Sequence, residues 1–200
     1  RWHKEIFADL AALLLGGPSA AWGLALFLSH PRQRVLTYRA KGAHPTGYFR
    51  VLILAEMLRR MRFVRDGEQL ARVWRSLYRV RDGDRLPPLL AAAAPKMARA
   101  VVDEIAFQTR RNLAQHALAD VLPFGQADED AIKAGARQLA ADGPPPEELA
   151  PRFLVSAAAY ALSREGVNPH ALTRRVIAHL SAAYAPSSVT SITPPVALAA

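Results

Sequence analysis

The chain has 200 residues, of which 51% are hydrophobic and 22% charged, a globular composition long enough to bury a core. It contains no cysteine, which excludes disulfides and thiolate metal sites and fits a cytoplasmic, bacterial-type location. The formal charge of +9 suits an acidic partner, an anionic membrane or a nucleic acid, but GC-rich coding produces the same excess of arginine. Alanine and helical periodicity dominate, so we expect an all-α fold: an irregular multi-helix bundle of seven to nine helices.

The first predicted helix spans residues 2–15 and carries two carboxylates among apolar residues. Glu5 and Asp9 are four residues apart, which places them one turn from each other on the same helix face. Buried charges are costly unless they are paired or bound to a metal, so a buried position would require a partner for both. The alternative is a solvated helix N-terminus, where acidic residues favour the helix dipole.

A second predicted helix covers residues 19–29, after a turn at residues 16–18. Residues 10–29 carry no charge and have the length of a membrane span. The Gly-Gly-Pro sequence of the turn is normal helix punctuation, however, and favours two short buried helices. Membrane association therefore stays open, without a clear span.

A basic, irregular loop at residues 31–44 precedes the third predicted helix, which runs from Pro45 or Thr46 to about Phe63. His44 and Pro45 stand at the start of that helix, and Arg50 follows six residues after His44.

Two motifs now stand in order: Glu-x-x-Ala-Asp at residues 5–9, and a His-Pro pair with an arginine six residues after the histidine at residues 44–50. They resemble motifs of zinc metallopeptidases of the HtpX and CAAX-prenyl-protease type. The resemblance covers about residues 1–63. The acidic spacing residues of the family's second motif are absent here.

The resemblance implies a role for four residues. Glu5 would be the third zinc ligand, and Asp9 would orient a zinc-bound histidine from behind. Arg50 would help to order the cleft, and His44 would be either a cleft residue or only part of a helix-entry turn. A glutamate upstream would activate a zinc-bound water for attack on the peptide carbonyl of a protein or peptide substrate.

The family's His-Glu-x-x-His helix does not occur in this sequence, which begins with Arg1. We therefore expect the chain to be the C-terminal part of a longer protein that carries the two zinc histidines upstream. The alternative is a degenerate, metal-free relative. In either case we expect these residues alone to bind zinc weakly and to be inactive, because catalytic zinc needs three protein ligands.

Further helices are predicted along the rest of the chain. The fourth is expected after a break at Asp66-Gly67. The predicted ranges are 68–80, 89–122, 128–141, 147–164 and 169–184, the last capped by Asn168 with Pro169 at its first position. We divide the chain into a metallopeptidase-like part (1–64), a helical domain (65–185) and a disordered tail (186–200).

The predicted function is that of a fragment of a zinc-dependent metallopeptidase-like protein. The alternative is a non-catalytic helical interaction or scaffold domain with a basic surface. Nucleic acid is not indicated, because no aromatic residues alternate with the arginine pairs and no helix-turn-helix pattern is convincing. The sequence does not specify the oligomeric state.

Overall fold

A computed structural model describes residues 2–183 of the chain. Within this range the fold is all-α, as predicted, with nine α-helices and no strand beyond one isolated antiparallel bridge between Arg110 and His116. The predicted tail, 186–200, lies outside the described residues. The helices are α1 (His3–Phe27), α2 (Arg32–Val35), α3 (Gly47–Arg60), α4 (Val64–Leu77), α5 (Pro88–Val102), α6 (Leu118–Val121), α7 (Gln126–Ala140), α8 (Pro151–Leu162) and α9 (Pro169–Ala183).

Helix α1 is interrupted at the predicted Gly-Gly-Pro turn. Gly17 has φ 64° and ψ −153°, which is not helical, and Pro18 follows it. A Cβ atom at Gly17 would lie 2.1 Å from Cζ of Phe124. The break is therefore both a backbone conformation that favours glycine and the place where a distant aromatic ring packs.

The larger of two buried apolar clusters is built from α1, α3, α4 and α5. Helix α3 lies in its middle, with ten of its fourteen residues buried. The Trp74 Nε1–H donates to the Tyr48 carbonyl oxygen at 3.2 Å and so fixes α4 against the start of α3. The predicted domain boundary at residue 64 stays a prediction, although this cluster contains residues on both sides of it.

The smaller cluster is formed by α7, α8 and α9, and it docks on the break in α1. The Ser156 hydroxyl on α8 donates to the Gly16 carbonyl oxygen at 2.8 Å, and Phe124 packs against both clusters. The predicted start of α9 is confirmed: Asn168 Oδ1 accepts from the Ala171 N–H at 3.1 Å, and the preceding Gly166 has φ 80°.

The predicted break at Asp66-Gly67 is wrong, because both residues lie inside α4. The chain turns earlier, at Arg62, which has φ 72° and is followed by a bond from the Phe63 N–H to the Leu58 carbonyl oxygen. A Cβ atom at Gly67 would lie 2.5 Å from the Ala55 carbonyl oxygen. Gly67 therefore allows α4 to approach α3 closely and does not end a helix.

The prediction of one long helix over residues 89–122 is also wrong after Val102, where α5 ends. A π-helical turn at Asp103–Phe107 and a 3-10 turn at Arg111–Leu113 replace it, and Ala114 has φ 51°. The physical reason is visible in the sequence, since the polar run from 108 to 112 contains no apolar residue to continue the helical stripe.

Helix α1 is the one described helix that is long and apolar enough to cross a membrane. Half of its most apolar window is buried inside the protein, and a core helix of a soluble protein satisfies the same criterion. The structure therefore leaves membrane association as an expectation.

Candidate functional site

The four residues singled out by the sequence come from three places in the fold. Glu5 and Asp9 lie one turn apart near the start of α1, and Arg50 is in the first turn of α3. His44 lies in the segment that leads into α3. Packing of α1 against α3 brings all four together, and we refer to them as the Arg50 network.

Arg50 is the partner that the two carboxylates require. Its Nε and Nη2 donate to the two oxygens of Asp9, both at 2.7 Å, in a forked arrangement. Its Nη1 donates to Glu5 Oε2 at 3.2 Å. Forked guanidinium–carboxylate pairs are strong and geometrically specific, so this one fixes the position of α1 relative to α3.

His44 completes the network at its outer edge, where its Nδ1 lies against Glu5 Oε1. Exposure increases outward, from 7% for the Asp9 side chain through 29% for Glu5 to 76% for His44. Glu5 is thus the carboxylate that a ligand can reach, whereas Asp9 is enclosed.

The electrostatics of the network keep Arg50 charged. Its hydrogen bonds with Asp9 raise the pKa of the Arg50 guanidinium above its ordinary value, against the opposing effect of burial, and the charges of Asp9 and Glu5 add to the rise. A permanent cation between two carboxylates removes most of the repulsion between them.

A cavity of about 910 Å³ lies beside the network, and all four network residues line it. Three further arginines from the loop after α1 and the turn before α5, Arg34, Arg39 and Arg85, also line the cavity. None of them forms an ion pair with a described acidic side chain. The basic loop therefore does contribute to the cavity wall, and it contains the one-turn helix α2 where the sequence predicted irregular structure.

The described residues do not form a zinc site by themselves. Within 2–183, no group of three or more His, Cys, Asp or Glu side chains is placed to hold a metal ion. Both Asp9 oxygens and one Glu5 oxygen already accept from Arg50. Catalytic zinc needs three protein ligands, and these residues do not group three, so no catalytic step through zinc follows from them.

Sequence reasoning recognised that Glu5 and Asp9 need a partner but did not assign Arg50 to Asp9. It also missed two further buried acids: Glu56, which pairs with Arg59 at 2.9 Å, and Glu129, which accepts from the Tyr160 hydroxyl at 2.6 Å. The one local signal for Glu129 was Lys133, four residues later on α7 and 3.0 Å from it.

Comparison with known proteins gives no relative for this chain. No model of a protein family matches it, and no curated protein and no solved structure is significantly similar to it.

Proposed function

We propose that this chain is the part of a zinc-dependent metallopeptidase-like protein that carries the third metal ligand, Glu5. The observation that supports the proposal is the convergence of two separate motifs on one cavity. Arg50 contacts Asp9 and Glu5 across 41 and 45 residues of sequence, and His44 contacts Glu5 across 39. The order and spacing of these residues are the features that resemble the peptidase family.

The two carboxylates of the Arg50 network have different roles. Asp9 is enclosed by the Arg50 fork and holds α1 in place, so it acts as a positioning residue. Glu5 is more exposed and lines the cavity, which makes it the residue that a metal ion could reach. The other ligands would come from residues outside the described range, and the cavity would receive a protein or peptide substrate.

The test is to express the full reading frame that encodes this chain and to measure zinc per molecule. We expect one zinc per chain, a large loss of zinc in Glu5→Gln, and a smaller loss in Asp9→Asn, since indirect support of a ligand typically contributes about 10–100-fold in affinity. Glu68→Gln is the matched control, because Glu68 is exposed on α4 and does not line the cavity. Zinc content unchanged by Glu5→Gln would overturn the assignment.

A second candidate function is a non-catalytic interaction or scaffold domain with a basic surface. It is favoured by Arg34, Arg39 and Arg85, which line the cavity without an ion pair to a described acid. If the full reading frame holds no zinc, binding of an acidic peptide that weakens on Arg39→Gln but not on Glu5→Gln would support this function.

A further inference from the structure

A second concave surface lies at the end of α4, and it shares no lining residue with the cavity beside the Arg50 network. Its volume is about 680 Å³, and six residues line it: Tyr48, Arg75, Ser76, Arg79, Val80 and Arg81. We call it the Arg75 pocket. None of these residues belongs to the network, so an inference about the pocket does not depend on the metallopeptidase proposal.

The charge of the Arg75 pocket is one-sided. Three of its lining residues are arginines, none is acidic, and no described carboxylate forms an ion pair with these three side chains. Asp84, close in sequence, is already engaged with Arg32 at 2.5 Å and accepts from the Arg81 backbone N–H at 2.7 Å. Like charges gathered in one place repel each other, and a bound anion removes that cost.

Two hydrogen bonds hold the elements that form the Arg75 pocket. The Trp74 Nε1–H bonds to the Tyr48 carbonyl oxygen, and the Tyr78 hydroxyl bonds to the His30 carbonyl oxygen at 2.9 Å. Both contacts hold the end of α4 in place. Burial raises the pKa of the Tyr48 hydroxyl, against the effect of nearby Arg75, so the hydroxyl stays protonated and able to donate.

We propose that the Arg75 pocket binds a phosphate group. Each guanidinium offers up to five N–H donors in a planar fork, and the Tyr48 and Ser76 hydroxyls add two more donors. A carboxylate has only two acceptor oxygens and one negative charge for these donors and three positive charges. A phosphate monoester has three terminal oxygens and about two charges, which matches three arginines better.

The size of the pocket leaves room for a phosphate that belongs to a larger molecule. A volume of about 680 Å³ is in the range of small-molecule sites, well above the needs of a bare ion. Two sources share this chemistry: a soluble phosphate ester and the headgroup of an anionic phospholipid.

The first experiment measures binding of pyrophosphate to the protein by titration calorimetry at fixed ionic strength. We expect Arg75→Gln and Arg79→Gln each to weaken binding by about tenfold or more, which corresponds to about 1.4 kcal/mol. Arg72→Gln is the matched control: it removes the same charge from an exposed position on α4, the helix of Arg75, that does not line the pocket. An equal loss in Arg72→Gln would show that only the overall charge matters and would overturn the proposal.

The second experiment distinguishes the sources. Sedimentation with vesicles of phosphatidylcholine plus phosphatidic acid is compared with vesicles in which phosphatidylserine supplies the same charge. Binding to phosphatidic acid alone, lost in Arg79→Gln and retained in Arg72→Gln, identifies the lipid headgroup, whereas binding of soluble pyrophosphate alone identifies a phosphate ester. Failure of both probes to bind the wild-type protein overturns the proposal.

Discussion

Asp9 in the larger apolar cluster and Glu129 in the smaller one are buried carboxylates that are satisfied in different ways. Asp9 in the larger cluster gives both oxygens to the fork of Arg50. The side chain of Glu129 in the smaller cluster is 0% exposed, and its Oε1 accepts from Tyr160 at 2.6 Å and lies 3.0 Å from Lys133 Nζ. Its Oε2 finds no partner among the described residues.

The difference shows what each carboxylate does for its region. A forked guanidinium fixes both oxygens and joins two helices that are far apart in sequence, so Asp9 helps to fix how α1 sits on α3 once apolar packing has brought them together. A hydroxyl and an ammonium on one oxygen constrain Glu129 less, and the buried second oxygen carries a desolvation cost. The fork therefore adds a specific polar link to the apolar packing of the larger cluster, whereas Glu129 adds a looser one to the apolar packing of the smaller cluster.

The largest expected effect comes from breaking the fork. Asp9→Ala leaves the Arg50 charge largely buried without its main partner, and we expect the free energy of unfolding to fall by about 3–5 kcal/mol in urea denaturation. Asp82→Ala, at an exposed turn residue, is the control and should change it by less than about 0.5 kcal/mol. Equal effects of the two substitutions would show that the fork does not hold α1 on α3.

The contact between the two apolar clusters, where Phe124 packs on Gly17, can be disrupted by substitution of Gly17. Gly17→Ala forces an alanine into a backbone with positive φ and puts its Cβ against the Phe124 ring, so we expect a loss of about 3 kcal/mol. Gly23→Ala is a sharp control, because nothing lies within 4 Å of its added Cβ and alanine favours the helix. Thermal unfolding should place Gly17→Ala well below the wild type and Gly23→Ala at or above it.

The smallest effect, in the smaller cluster, depends on pH. Burial and the bond to Glu129 raise the pKa of the Tyr160 hydroxyl well above its ordinary value. The folded state therefore keeps this proton when the unfolded state loses it, so stability should fall as pH rises above about 10, by at most about 1.4 kcal/mol per pH unit.

Tyr160→Phe tests this directly. It should cost about 1–2 kcal/mol at pH 7, because Glu129 loses a donor, and should flatten the decline above pH 10. Urea denaturation at several pH values gives both numbers. Parallel pH curves for the variant and the wild type would contradict the assignment.

Much of the local structure could be predicted from the sequence. Asn168 and Pro169 predicted the start of α9, and the Gly-Gly-Pro sequence predicted the break in α1. Gly67 shows the limit of such signals. Glycine interrupts α1 at Gly17 but lies inside α4 at Gly67. The role of Gly67 is close packing, because an added Cβ would lie 2.5 Å from the Ala55 carbonyl oxygen.

The candidate site was predictable in part for the same reason. The apolar surroundings of Glu5 and Asp9 indicate that they need a partner if buried, and Arg50 was recognised as a site residue. Arg50 donates two hydrogen bonds to Asp9 and one to Glu5. This division depends on how α1 and α3 cross, which no short stretch of sequence specifies.

The sequence by itself determined the all-α class, several helix ends and the presence of two carboxylates that require partners if buried, because these follow from interactions between residues a few positions apart. The tertiary structure alone decided that Arg50 pairs with Asp9, that Phe124 and Ser156 meet the glycines of α1, and that Tyr48 meets the arginines of the Arg75 pocket. Those contacts join residues far apart in sequence, and they exist only once packing of the apolar faces has set the positions of the helices.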